Sequence, residues 1–375
     1  MPHLVSRREF VVDAAVALGS CVLCRLCRGE QMPGHPQEPG PHEAAYYEKL
    51  GGKRIQCRLC PRACVVPDGG RGYCRVRENR GGTYYSLVYG RPCVTNIDPI
   101  EKKPFFHVYP GTKAYSIATV GCNLQCKFCQ NWDISQASPE DVPTAYKSPK
   151  EIAAAASKAG VRTIAYTYSE PTVFYEYVAD CARAGRDAGL ESVVVSAGFI
   201  SADPLKALVP LVKAIKIDLK AFTQSFYADT CDGQLQPVLD TLKRLSGSGV
   251  WYEIVVLLIP TLNDNADDVK RMSAWVVKEL GPDVPVHFTR FHPEYKLRNL
   301  PPTPPQTLSK ARQIAIGEGC HFAYTGNAPG LEGQETVCPS CKQTVVKRYG
   351  YTIQENKIKN GKCGNCGAAI PGVWG

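Results

Sequence analysis

The stretch that decides the fold is Gly121 to Gln130, GCNLQCKFCQ, in which Cys122, Cys126 and Cys129 form a C-x3-C-x2-C triplet. A cubane iron-sulfur cluster has four irons, so three thiolates leave one iron open to a non-protein ligand, whereas an electron-transfer cluster is normally closed by four cysteines. A structural zinc site or a chance grouping is the alternative, but this is not zinc-finger spacing and no fourth ligand follows closely. The triplet therefore predicts a cluster with one iron free for chemistry.

The segments around the triplet predict an α/β fold. Residues 114–120 (AYSIATV) form a predicted buried strand just before the triplet, and residues 110–330 alternate strand-like and helix-like stretches. Ser148-Pro-Lys-Glu151 is a capping box that predicts a helix up to Gly160. The pattern indicates a partial (β/α) barrel with the triplet at the cofactor-binding edge of its sheet. Further strands are predicted at 162–167, 191–196, 214–217, 251–258, 286–291 and 321–324, and helices near 172–188, 203–212, 236–246, 267–279 and 307–316.

Polar side chains recur where these predicted strands end, which is where a barrel would carry its site. Each has a plain alternative: Glu170 as a helix N-terminal acid, Gly198 as a turn, and Asp218 with Lys220 as a surface pair. Their repetition at successive strand ends favours a shared site. The strand ends are Tyr168-Ser-Glu170-Pro-Thr, Ser196-Ala-Gly198-Phe, Asp218-Leu-Lys220 and Pro260-Thr-Leu-Asn263-Asp.

A second group of cysteines, the N-terminal cysteine set, comprises Cys57, Cys60, Cys64 and Cys74, separated by turn-forming glycines and prolines. Four thiolates can close one site. The sequence leaves three possibilities open, which are a second 4Fe-4S cluster, a structural zinc, or reduced cysteines in a loop-rich module.

A third group, the C-terminal cysteine set, consists of two C-x2-C knuckles, Cys338-Cys341 and Cys363-Cys366. Residues 349–353 and Asn360-Gly361 between the knuckles indicate a strand and a turn, so the spacing predicts a zinc ribbon. A rubredoxin-type iron site uses the same four thiolates and is the alternative.

Composition and the N-terminus bear on compartment and partners. The chain has 375 residues, 18 cysteines and a net charge of +9, and its close-spaced cysteines favour metal sites in a reducing compartment. The basic residues are scattered, so nucleic-acid binding is not expected. Residues 6–18 resemble a twin-arginine signal, and the sequence ending in Cys21 resembles a lipoprotein box. Cytoplasmic location is favoured, with export and an N-terminal lipid anchor as the alternative.

The same features divide the chain into four predicted parts. Residues 1–42 are a signal-like leader and linker, in which Cys24 and Cys27 are either ligands or part of the leader. Residues 43–110 are a cysteine-rich module, 111–330 the partial barrel, and 331–375 a zinc-ribbon-like module.

The core of the chain resembles pyruvate formate-lyase activating enzymes, and residues 55–375 resemble the radical S-adenosylmethionine (SAM) enzyme of the AmmeMemoRadiSam system. The segments that carry this resemblance are the triplet stretch, Cys57-Arg-Leu-Cys60-Pro-Arg, residues 97–104 (IDPIEKKP), Tyr166 to Pro171, Ile217 to Lys220, Arg290-Phe-His292-Pro and Ile370 to Trp374.

The resemblance implies a 4Fe-4S cluster on the triplet, with SAM contacted by Phe128, Tyr168, Glu170, Ser196, Asp218, Lys220, Asn263 and His292. It also implies an anaerobic, oxidoreductase-like radical enzyme that takes hydrogen from a small molecule or peptide. A flavodoxin- or ferredoxin-type electron donor and companion proteins of that system are the expected partners. A glycyl-radical activase and a multi-cluster electron carrier are the alternative functions.

Overall fold

The structure, a computed structural model, describes residues 40–375 and begins with two small antiparallel sheets. One sheet joins β1, β6 and β5, and the other joins β2, β3 and β4. Gly81 and Gly82 connect β5 to β6 and both have positive φ, as a two-residue hairpin turn requires. The strands are β1 His42–Glu43, β2 Tyr47–Lys49, β3 Ile55–Cys57, β4 Val65–Val66, β5 Arg77–Arg80 and β6 Thr83–Ser86.

The centre of the fold is an eight-stranded sheet. Its strands are β7 Val94–Pro99, β8 Lys113–Ala118, β9 Thr163–Tyr166, β10 Glu191–Ser196, β11 Ala214–Asp218, β12 Trp251–Leu258, β13 Val286–Arg290 and β14 Ala323–Gly326. They lie side by side in chain order from β7 to β14, and only β7 is antiparallel to its neighbour. The sheet stays open between β7 and β14, so the predicted partial (β/α) barrel is confirmed.

Helices follow most of the parallel strands and cover the sheet. The predicted capping box is present: Ser148 Oγ accepts a hydrogen bond from Glu151 N at 3.3 Å, and Glu151 Oε2 accepts one from Ser148 N at 2.7 Å. The helices are α1 Trp132–Ser135, α2 Pro149–Lys158, α3 Tyr175–Asp187, α4 Ala202–Leu208, α5 Gln224–Cys231, α6 Leu235–Ser246, α7 Ala266–Leu280 and α8 Pro305–Gly317, with 3-10 turns at Ile100–Lys102, Pro171–Phe174 and Val209–Leu211.

The C-terminal residues form a three-stranded sheet and a short hairpin that pack against residues 105–109. Arg348 is buried and donates a hydrogen bond to the Phe106 carbonyl at 2.6 Å, and Tyr109 N donates to the Val373 carbonyl at 2.8 Å. The strands are β15 Thr336–Val337, β16 Thr344–Tyr349, β17 Thr352–Asn356, β18 Ile358–Lys359 and β19 Lys362–Cys363.

Several predictions concern the N-terminus, and they fall outside the described residues. These are the signal-like leader before residue 40, the lipoprotein-like box at Cys21, and any ligand role of Cys24 or Cys27. The four-part division of the chain also stays a prediction. Between residues 40 and 375, no helix combines the length and apolar character needed to cross a membrane.

Candidate active site

A cavity of about 410 Å³ opens at the carboxyl edge of the large sheet, and the triplet forms part of its wall. The parallel strands end at this edge, so the loops that follow them converge here. The lining includes nearly all the side chains predicted for the site, namely Cys122, Cys126, Cys129, Phe128, Tyr168, Glu170, Ser196, Asp218 and Lys220.

The loop that carries the triplet follows β8 and is tightly packed at Gly121. Gly121 has a φ of 93°, and a Cβ there would lie 2.8 Å from the Cys74 carbonyl oxygen, so a larger residue does not fit. Two triplet sulfurs receive local hydrogen bonds. Leu124 N donates to Cys122 Sγ at 3.4 Å, and Cys129 Sγ lies 3.2 Å from Ser135 Oγ. Two of the three thiols are therefore held by contacts within residues 122–135.

A further cysteine, Cys231 at the end of α5, lies behind the triplet. Gln125 N donates to the Cys231 carbonyl at 2.9 Å and Lys127 N to the Thr230 carbonyl at 2.9 Å, which anchors α5 to the cluster loop. A hydrogen bond from the Cys231 thiol lowers the pKa of Cys126. Cys231 is fully buried and does not line the cavity, so the cavity side of the triplet is left free.

Lys216, Asp218 and Lys220 form a charged group at the end of β11, in which Lys216 is buried and the other two are partly exposed. The Asp218 carboxylate accepts hydrogen bonds from both lysines, and its bond from Lys220 Nζ measures 2.9 Å. Burial opposes ionisation of Asp218, but the two ammonium groups outweigh it and hold its pKa well below its usual range. Two cations and one anion leave an excess positive charge at the cavity, which suits a carboxylate ligand.

Glu170 ties the ends of β9 and β10 together. Its Oε1 accepts hydrogen bonds from Thr172 N at 3.0 Å, Thr172 Oγ1 at 2.7 Å and Ser196 Oγ at 2.7 Å, and its Oε2 accepts one from Ala197 N at 2.8 Å. Glu170 is buried although it lines the cavity. The structure thus gives Glu170 and Ser196 a scaffolding role, and only Oε2 has room for another donor.

A second polar network, centred on Asp98 of β7, was missed at the sequence level. Asp98 accepts hydrogen bonds from Lys103 Nζ at 2.6 Å, Lys102 Nζ at 2.9 Å and the Tyr168 hydroxyl. Burial lowers the pKa of Lys103 to about 8 despite its contact with Asp98. Both lysines line the cavity, and the run IDPIEKKP that contains them was the available signal.

A second cavity of about 390 Å³ adjoins the first. The two share Lys102, Pro104, Gln130, Asn327 and Tyr351 in their walls. Tyr351 comes from the turn between β16 and β17, so the C-terminal region helps to enclose both spaces.

Two of the residues predicted to contact SAM lie elsewhere. His292 lines the second cavity rather than the first. Asn263 lines neither. It is buried and donates hydrogen bonds to the carbonyls of Lys220 at 2.7 Å and Leu257 at 2.9 Å. Asn263 therefore positions the loop that carries Lys220, and contact of either residue with the cofactor stays a prediction.

The C-terminal cysteine set has the geometry of a site for one metal ion. Its four sulfurs all lie within 4.8 Å of one another, and the Cys338–Cys366 and Cys341–Cys363 sulfur pairs are each 3.7 Å apart. Tetrahedral zinc with bonds of about 2.3 Å puts its sulfurs about 3.8 Å apart. Burial raises the pKa of Cys363, but a hydrogen bond with the Cys366 backbone outweighs it and lowers this pKa to about 6, which favours the thiolate.

The N-terminal cysteine set is more widely spaced. Cys57 N donates to the Cys64 carbonyl at 2.9 Å, and Tyr73 N donates to Cys64 Sγ at 3.5 Å. Burial, reinforced by the other three thiols of the set, raises the pKa of Cys60 to about 12. The four side chains are thus neighbours, but they line neither cavity.

The sequence pattern of the Radical SAM superfamily matches residues 116–276, which include the triplet and the strand ends that line the cavity. An uncharacterized protein of Methanocaldococcus jannaschii, MJ0808, is 44% identical over 330 residues, a span that covers 88% of this chain and 98% of MJ0808.

The similarity to solved structures is lower. A domain of pyruvate-formate lyase-activating enzyme from Bacteroides vulgatus has 18% identity and a TM-score of 0.39, over 44% of this chain and 98% of that domain. Streptococcus suis SuiB bound to S-adenosylmethionine has 10% identity and a TM-score of 0.46, over 61% of this chain and 53% of SuiB.

Proposed function

The chain belongs to the radical SAM superfamily, and from this membership we propose that it cleaves SAM reductively at a 4Fe-4S cluster held by Cys122, Cys126 and Cys129. One electron breaks the sulfonium bond to give methionine and a 5′-deoxyadenosyl radical, which takes a hydrogen atom from the substrate and becomes 5′-deoxyadenosine. The observation that carries this proposal is that all three thiols of the triplet face one cavity. Among residues 40–375, no fourth cysteine lines that cavity.

The side chains around the cavity fit a SAM molecule. Its methionyl carboxylate matches the excess positive charge of Lys216, Asp218 and Lys220, because a buried ammonium group is stabilised by an anion at hydrogen-bonding distance. Phe128 provides an apolar wall for the adenine. The role of these residues is binding, orientation and exclusion of water, and no general base is required.

The adjoining second cavity is the proposed substrate site. Its volume of about 390 Å³ is at the small end of the usual range for small-molecule pockets of about 300 to 1,000 Å³. Tyr351 encloses it from the C-terminal side. This supports a small molecule or the tip of a peptide as substrate rather than a large protein loop, so the glycyl-radical activase becomes the less favoured function.

The remaining assignments rest on the cysteine sets and on the family resemblance. The C-terminal cysteine set binds zinc, because its sulfur separations match a tetrahedral site. A low-potential flavodoxin or ferredoxin supplies electrons, and companion proteins of the AmmeMemoRadiSam system supply or receive the substrate. The resemblance over residues 55–375 supports the last assignment.

The test is anaerobic reconstitution with iron and sulfide, followed by dithionite and SAM. We expect 5′-deoxyadenosine and methionine from the natural chain and from Cys93→Ala, a half-buried cysteine outside all three sets. Cys126→Ala should form at least about 100-fold less 5′-deoxyadenosine. Deuterium carried from a candidate substrate into 5′-deoxyadenosine would identify the substrate, and no 5′-deoxyadenosine from the natural chain would reject the proposal.

A further inference from the structure

The three cysteine sets of the described residues fall into two geometric classes. In the C-terminal cysteine set every sulfur lies within 4.8 Å of the others, as four ligands of one ion must. Among residues 40–375, neither the triplet nor the N-terminal cysteine set contains three sulfurs that meet this limit. In a cubane each thiolate binds a different iron, so its ligands stand farther apart than those of a single ion. The N-terminal cysteine set, like the triplet, therefore lacks the close convergence of sulfurs that a single ion requires.

The N-terminal cysteine set is also built as a closed site with a counter-charge. Cys57 is buried in β3, and the other three thiols are half-buried around the loops that follow. The guanidinium of Arg77 is 1% exposed beside Cys57 and Cys74, and it is held by Glu176 and by the Val173 carbonyl at 3.1 Å. A cluster with four thiolates carries net negative charge, which the guanidinium of Arg77 offsets in part because Glu176 already pairs with it.

The N-terminal cysteine set lies directly behind the loop of the triplet. The Cys74 carbonyl packs against Gly121, the residue before Cys122. Arg62, between Cys60 and Cys64, donates a hydrogen bond to the Asn123 carbonyl at 2.6 Å, and its guanidinium lies 3.3 Å from the centre of the Tyr73 ring. The segments that carry the two ligand sets are therefore in direct contact.

An additional cluster could anchor substrate or transfer electrons, and the position of the N-terminal cysteine set distinguishes between these two roles. A cluster that anchors substrate has to face the space where substrate binds, but Cys57, Cys60, Cys64 and Cys74 line neither cavity. Cys60, Cys64 and Cys74 are instead half-buried residues in loops outside both cavities. A cluster held there would leave the cavities free for SAM and substrate.

We propose that Cys57, Cys60, Cys64 and Cys74 hold a second 4Fe-4S cluster that passes electrons from an external one-electron carrier to the cluster of the triplet. Each transfer moves one electron. The carrier is oxidised by one electron, the second cluster is reduced and then reoxidised, and the triplet cluster is reduced. The relay role rests on the proposed function, whereas the presence of the cluster does not.

Metal content tests the cluster. In the reconstituted full chain we expect about eight irons and about one zinc, falling to about four irons with zinc retained in both Cys60→Ser and Cys74→Ser. Cys93→Ser, which replaces a half-buried cysteine outside the three sets, should keep about eight irons. About four irons with two zincs in the natural chain, or no loss of iron in either variant, would overturn the assignment.

Electron-transfer kinetics test the relay. After rapid anaerobic mixing with a reduced flavodoxin, formation of 5′-deoxyadenosine per triplet cluster should be at least about tenfold slower in Cys60→Ser than in Cys93→Ser. Dithionite is small enough to reach the triplet through the empty cavity when it is added before SAM, so with this order of addition the rate should fall much less. Equal rates with flavodoxin, or equal slowing with both reductants, would overturn the relay.

The two proposals fail in different ways. If the natural chain forms no 5′-deoxyadenosine with either reductant, the proposed function fails, but the iron count still decides whether the second cluster exists. If SAM cleavage is normal and only about four irons are bound, the second cluster fails and the proposed function stands.

Discussion

Replacement of Glu176 by glutamine should destabilise the fold far more than the same change in an exposed ion pair. The Arg77–Glu176 pair is bidentate, and its side chains are only 1% and 7% exposed. The glutamine amide would place N–H donors against the Arg77 guanidinium, which leaves a buried charge without its partner. Loss of one partner from a buried pair costs about 3–5 kcal/mol, and the remaining Val173 carbonyl contact favours the lower end, about 3 kcal/mol.

Glu140→Gln is the matched control. Arg71 and Glu140 also form a bidentate pair, with nitrogen–oxygen distances of 2.6 and 2.8 Å, but the Arg71 side chain is 32% exposed and the Glu140 side chain 61% exposed. Its expected cost is about 0–1 kcal/mol. Pulse proteolysis in urea, performed on the metal-loaded chain, measures the loss of unfolding free energy in both variants. If the unfolding free energy falls by about 3 kcal/mol per molar urea, Glu176→Gln should lower the urea concentration at the unfolding midpoint by about 1 M. Shifts that agree within about 0.5 kcal/mol would refute the argument from burial.

Three further predictions use the same approach. Lys220→Met should weaken SAM binding about tenfold in anaerobic calorimetry with iron retained, whereas Lys213→Met, exposed beside Glu191, should not. Cys338→Ser should remove the zinc and lower the melting temperature but leave the iron content unchanged; Cys320→Ser should keep both metals. Because burial lowers the pKa of Lys103 to about 8, the folded chain binds fewer protons than the unfolded chain above that pH. The unfolding free energy of the natural chain, relative to that of Lys103→Met, should therefore rise from about pH 8 to about pH 10. A difference between the two chains that does not change with pH would contradict this.

Much of the sheet was predictable because parallel strands are buried on both faces and form short apolar runs. The strands at 191–196 and 251–258 match β10 and β12 in both ends. β7, Val94–Pro99, was missed because it is a partly exposed edge strand with Asn96, Asp98 and Pro99, residues that strands usually disfavour. α5, Gln224–Cys231, was missed because it is short and weakly amphipathic. It is fixed by backbone contacts with the triplet loop, which are far away in sequence.

The candidate site was predictable where its residues follow parallel strands, and less so where they come from other elements. Lys216 could have been found, since it precedes Asp218 by two positions in β11 and alternate strand residues share a face. The contact of Asp98 with Tyr168 joins β7 to the loop after β9, and no local pattern reveals it. The resemblance named Asn263 and His292 as cofactor contacts, but only the packing shows that one supports Lys220 and the other faces the second cavity.

The C-terminal cysteine set can influence the active site although it lies outside the cavities. Its sulfurs hold β15, β16 and the last hairpin around one site, and β16 leads directly to the turn that carries Tyr351. Tyr351 is part of the wall of both cavities. Binding of a structural metal contributes folding free energy to the residues that it joins. We therefore propose that a metal bound at the C-terminal cysteine set fixes the wall of the second cavity, which would give this part of the chain a function in the proposed substrate site.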